Sequence, residues 1–126
     1  MNRSIESYTD LLVWQRAMDL VDSVYAVTRS FPKSEQFGLT AQVRRAVVSI
    51  PSNIAEGWGR PSRKDFLRFL YIARGSLYEV ETQLRIAKRQ GFVHGDDLTG
   101  MLSQAETLSK MLLGLTRSLE KRRATA

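Results

Sequence analysis

The chain has 126 residues, of which 43% are hydrophobic and 25% charged, and its 19 basic and 13 acidic side chains leave a net charge of +6. A chain of this length forms one globular domain with a self-sufficient core, so residues 1–126 are expected to make a single unit. The absence of cysteine excludes disulfides, Cys-ligated zinc, iron–sulfur clusters and thiol catalysis, and the single histidine, His94, excludes His-pair metal sites within one chain. No metal and no cofactor is expected. The first residues lack an apolar core of signal-peptide length, and no apolar run approaches the roughly 18 residues of a membrane span. The expectation is a soluble, cytoplasmic protein without membrane contact. A pI near 10.1 points to a polyanionic partner.

No stretch alternates long enough for a strand, and four segments show helical periodicity. The first is predicted over about residues 10–30, capped by Thr9 or Asp10, with Leu11, Trp14, Met18, Val21 and Tyr25 as its core stripe and Ala17, Val24 and Phe31 alongside. The second covers about 39–56, burying Leu39, Val43, Ala46, Val47, Ile50, Ile54 and Trp58. Pro51 removes the amide that would bond the Val47 carbonyl, so a bend or break is predicted near Ile50, with Ser49, Ser52 and Asn53 placed to bond the orphaned carbonyls. Ser62-Arg63-Lys64-Asp65 has capping-box spacing and opens a third helix, about 62–90, with a core stripe of Phe66, Phe69/Leu70, Ala73, Leu77, Val80, Leu84 and Ala87. Gly91 ends it. Asp96 or Asp97 caps a fourth helix over about 96–120, with Leu98, Met101/Leu102, Ala105, Leu108, Leu112, Leu115 and Leu119 inward; the tail from Lys121 is predicted to fray. Short links between amphipathic helices predict an all-α, antiparallel, up-down-up-down four-helix bundle.

The charge is unevenly spread. Residues 39–89 carry ten basic and four acidic side chains, while the flanking segments are close to neutral. On a helical wheel, helix three carries a second stripe of Lys64, Leu67/Arg68, Tyr71, Arg74, Tyr78, Arg85 and Arg89, with Lys64, Tyr71, Tyr78 and Arg85 at seven-residue intervals. Arginine forks bind phosphates and tyrosine rings stack on bases, which suits a nucleic-acid surface. A subunit interface is also rich in Tyr and Arg, and a solvated face is the third reading. Arg44, Arg45, Arg60, Arg63, Lys64, Arg68, Arg74, Arg85 and Arg89 are the candidate nucleic-acid contacts, with Tyr71 and Tyr78 as stacking or interface residues. The polar row Arg45, Ser49, Ser52 and Glu56 reads as scaffold more readily than as a ligand site, with Arg45 and Glu56 pairing to neighbouring helices. Trp58, between two glycines, either closes the core or stacks on a ligand.

No Gly-rich phosphate loop, nucleophile elbow or di-iron motif is present, His94 sits in a Gly-flanked loop, and Glu79 and Glu81 point to different sides of a helix. The chain is therefore not expected to be an enzyme. The runs Leu12-Val13-Trp14-Gln15-Arg16-Ala17, Phe37 to Ala46 and Val48-Ser49-Ile50-Pro51-Ser52-Asn53-Ile54-Ala55-Glu56-Gly57, with Leu67 to Leu84, resemble the small four-helix-bundle proteins encoded in intervening sequences of bacterial 23S ribosomal RNA genes. The resemblance spans about residues 10–120. It implies a bundle that assembles into a homopentameric ring, similar to the accessory variability protein of diversity-generating retroelements, which binds nucleic acid. The resulting expectation is a non-enzymatic oligomer that binds RNA or DNA mainly through phosphates. The alternative is an adaptor that docks an acidic protein partner on the Arg/Tyr face.

Overall fold

The structure, a computed structural model, describes residues 4–125, with side chains described through Lys121. It contains four α-helices: α1 (Leu12–Thr28), α2 (Leu39–Trp58), α3 (Arg63–Arg89) and α4 (Gly95–Thr125). Short 3-10 turns lie at Tyr8–Asp10 and Lys33–Glu35, and no strand is present among the described residues. Among the described residues each long helix contacts two neighbours, with none across the diagonal. Partners run in opposite senses: Ser49 and Gly57 of α2 meet Ser76 and Phe69 of α3, while Tyr71 and Tyr78 of α3 meet Glu120 and Ser109 of α4. Four helices in this antiparallel order bury one continuous core of which Leu20, Val24, Val47, Ile50, Ile54, Leu70, Leu77, Leu84, Leu108 and Leu112 form the fully enclosed centre.

Of the expected bend or break near Ile50, a break does not occur: helix α2 runs continuously through Pro51. A proline inside a helix costs about 3 kcal/mol, but Val47, Ile50 and Ile54 around it are completely buried, each contributing roughly 1.5–3 kcal/mol. Tertiary burial therefore outweighs the lost backbone bond. The side chains near the proline serve a different purpose from the expected one. Asn53 donates to the Ser49 carbonyl at 2.8 Å and to its hydroxyl at 2.9 Å, and the Ser49 hydroxyl shares a hydrogen bond with Ser76 of α3 at 2.9 Å. The group pins α2 to α3 rather than serving the Val47 carbonyl.

The core stripe of α1 is rotated from the expected one. Val13, Ala17, Leu20 and Val24 are buried, while Trp14, Val21 and Tyr25 lie half-buried on the flank and Met18 is exposed. Leu67, placed on the outer face of α3 by its spacing, is only 2% exposed. Several helix ends also differ in detail. Asp10 accepts from the amides of Glu6 and Ser7 and closes a capping box around the Tyr8–Asp10 turn, so it faces away from α1, whose N-cap is Leu11. Ser62 accepts from the Asp65 amide at 3.0 Å, but the Asp65 carboxylate turns to Arg68, so only half of the expected box forms. Helix α4 begins at Gly95, with Asp96 and Asp97 inside its first turn, where they favour the positive end of the helix dipole. It continues to Thr125, past the expected end; Ala126 lies outside the described residues. Gly91 stops α3 as expected: its φ of +80° lets its amide bond Lys88 and the Phe92 amide reach back to Ala87 at 2.9 Å, the paired bonds of a Schellman turn.

Candidate nucleic-acid interface

The nine candidate cations do not form one surface. Arg44 points inward, donating to the Thr28 hydroxyl at 2.8 Å and lying 4.5 Å over the Tyr25 ring, so it ties α2 to α1. Arg45 is exposed on α2 and has no partner among the described residues. Arg89 stands at the far end of α3 from Arg63, about 40 Å away at 1.5 Å per helical residue. The other cations fall into two groups.

The first group surrounds the corner between α2 and α3. Gly59 to Ser62 carry the chain from one helix into the next, and Arg60, Arg63, Lys64 and Arg68 all project to solvent there. Arg60 pairs with Glu56 at 3.1 Å and lies 5.0 Å over the Phe69 ring. Arg68 lies 4.6 Å over the same ring and 4.0 Å from Asp65. Arg63 and Lys64 have no acidic partner among the described residues. They occupy the first turn of α3, where free amides and the helix dipole add positive potential. Trp58 is half-buried, edge-on to Phe66 with ring centres 6.2 Å apart, and so closes the end of the core. Glu56 therefore pairs next to its own helix, not with a neighbouring one, and its effect is to partly offset one cation of the corner.

The second group follows the seam between α3 and α4. Tyr71 donates to Glu120, and Arg74 donates to the Tyr78 hydroxyl at 3.2 Å while lying 5.7 Å over its ring. The Arg74 hydrogen bond, helped by one from Ser109, holds the Tyr78 phenol below the usual tyrosine value. Tyr78 and Arg85 line a shallow groove of about 500 Å³ together with Glu81 and Glu106. Arg85 faces two carboxylates in this groove, whereas the corner sets four cations against Glu56 and Asp65, so the corner suits a polyanion better. Tyr71 also borders a shallow groove of about 430 Å³ with Lys64, Leu67, Arg68 and Ile72, which brings the upper end of the tyrosine stripe to the basic corner.

Sequence reasoning assigned Phe69 to the core and missed its outer role. The residue is 7% exposed, and its ring supports two guanidiniums at once. The only signal in the sequence was the arrangement of Arg68 beside Phe69 with Arg60 across the turn. Among the described residues no group of His, Cys, Asp and Glu is placed to hold a metal, and no helix is long and apolar enough to cross a membrane.

These features define a basic four-helix bundle with four exposed cations gathered at its α2–α3 corner. The chain belongs to the 23S rRNA-intervening sequence protein family, whose sequence model matches residues 9–114. Its fold is similar to that of a protein of unknown function from the S23 ribosomal protein family of Bacteroides thetaiotaomicron. The TM-score is 0.77 at 21% identity, covering 83% of this chain and 98% of the other. A comparison with curated proteins gives no match.

Proposed function

We propose that this protein is a non-enzymatic, cytoplasmic helical bundle that assembles with copies of itself and binds RNA or DNA by phosphate contacts at the α2–α3 corner. The observation that carries the reading is the set of Arg60, Arg63, Lys64 and Arg68 at one exposed corner, two of them without an acidic partner among the described residues. Phosphate contacts position a protein on a strand without reading its bases, so binding is expected to be general in sequence. The names of the family and of its structural relative, with their rRNA and ribosomal-protein terms, are compatible with an RNA ligand.

Self-assembly is supported by the apolar surface left outside the core. A groove of about 300 Å³ between α1 and α2 is lined by Tyr8, Trp14, Met18, Val48 and neighbours, and Ile72 and Ile86 are exposed on α3. A homopentameric ring, the arrangement implied by the resemblance, would carry about +30 and present several corners to one polymer, so that modest individual sites gain by multivalency.

The triple variant R63E/K64E/R68E tests the corner. Acidic residues are favoured in the first turn of a helix, so α3 is expected to stay folded. Affinity for nucleic acid should fall by more than tenfold, and the salt dependence should flatten by about 2–3 log units per log unit of salt. Unchanged affinity would rule out the corner. Binding of an acidic protein that survives nuclease treatment, with no affinity for nucleic acid, would favour the adaptor reading, which rests on the Arg/Tyr face of α3, where Tyr71 and Tyr78 are exposed beside Arg74.

A further inference from the structure

Two arginines that approach from different elements are held on one ring. Arg60 comes from the turn after α2 and Arg68 from the second turn of α3, and their guanidinium carbons lie 5.0 and 4.6 Å from the Phe69 ring centre. Phe69 is itself held in place at its root. Gly57 of α2 approaches so closely that a Cβ there would sit 2.7 Å from the Phe69 Cβ, and the residue is buried, 7% exposed. A guanidinium held over an aromatic ring by cation–π attraction keeps most of its five N–H donors available to another partner. The acidic neighbours occupy little of that capacity: Glu56 meets one nitrogen of Arg60 at 3.1 Å, and Asp65 stands 4.0 Å from Arg68.

We infer that Phe69 is a positioning residue that presents Arg60 and Arg68 as a paired clip for the phosphodiester backbone of a nucleic acid. The inference rests on the nucleic-acid reading above and narrows it to one ring and two forks. Long side chains ordinarily lose rotamer freedom when they bind, and that loss weakens binding. Here the ring holds both arginines in place before a strand arrives. Lys64 and Arg63 supply charge beside the clip, but not its geometry.

The test uses a fluorescein-labelled single-stranded RNA of about 20 nucleotides and anisotropy, with circular dichroism melting on every variant. Phe69→Leu keeps an apolar residue and every charge but removes the stacking face, while Phe69→Tyr keeps that face. The double variant R60K/R68K keeps the charge and removes the planar forks. The expected result is a loss of about tenfold in affinity for F69L and for R60K/R68K, wild-type affinity for F69Y, and an unchanged salt slope throughout, because no charge is removed. Wild-type affinity in both F69L and R60K/R68K would overturn the clip while leaving the basic corner standing. If F69L fails to fold, R60K/R68K decides alone, since both of its sites are exposed. No binding by the wild-type protein would remove the nucleic-acid reading and the clip together.

Discussion

Against α2, helix α3 comes so close that Gly57 has no room for a side chain, and about two turns further along the same seam a hydrogen-bonded group of Ser49, Asn53 and Ser76 bridges the two helices. Helix α4 is different: nothing lies within 4 Å of where a Cβ would stand on Gly100 or Gly114, and its seam with α3 is closed at the edge by polar contacts from Tyr71 and Tyr78. The same residue type thus has opposite meanings on two helices of one bundle. On α2 glycine permits a contact, and on α4 it leaves a helix interior without one. The basic corner sits at the end of this close seam, next to Gly57 and Phe69.

Substitution at Gly57 gives the largest expected effect. Gly57→Ala must displace Phe69 or Phe66, the latter 2.9 Å from the added carbon, and overpacking of this kind costs about 1–3 kcal/mol. The urea midpoint should fall, and because Phe69 carries the two arginines, affinity for nucleic acid should fall with it. A neutral G57A would mean that the seam is looser than described. Gly100→Ala should act in the opposite direction. With open space around it, alanine gains about 0.5–1 kcal/mol from helix propensity and lost unfolded-state freedom, and the midpoint should rise. Destabilisation by G100A would show that α4 is approached by another surface, such as a second copy of the chain.

The smallest effect concerns the edge of the α3–α4 seam. Tyr78 should ionise below the ordinary 10.0, mainly because Arg74 donates to its hydroxyl. Arg74→Leu should move the transition upward in an absorbance titration. A depressed native value gives a stabilisation that is fully present above the unfolded value and is lost as pH falls through the native one. Any stabilisation from this phenol is therefore confined to alkaline solution and absent at neutral pH. An identical titration in R74L would break the assignment of this contact.

The sequence exposed the fold unevenly, and the reasons are local. On α3 and the second half of α2 the apolar residues form one stripe against charged neighbours, so the inward face was legible, as was the stop at Gly91. Helix α1 carries apolar residues around most of its circumference, including Leu11, Leu12, Val13, Trp14, Met18 and Leu20. Period alone does not choose a face there. The bundle centre took the compact Val13, Ala17, Leu20 and Val24 and left the amphipathic aromatics at the rim. Leu67 was misplaced because α3 buries a broad face against two neighbours at once. At the candidate site, charge counting found the basic segment but did not show which cations were committed elsewhere. Arg44 is held by Thr28 and Tyr25, contacts between residues 16 or more positions apart that no local pattern reveals. Phe69 satisfied the core pattern so well that its second face went unread.

The most direct measurement of the central claim is the affinity of the purified, nuclease-treated protein for labelled single-stranded RNA and duplex DNA across about 50 to about 300 mM salt. Binding through the α2–α3 corner predicts affinity that falls steeply with salt, with a log–log slope of several units for both polymers. No binding at the lowest salt, or binding insensitive to salt, would contradict it.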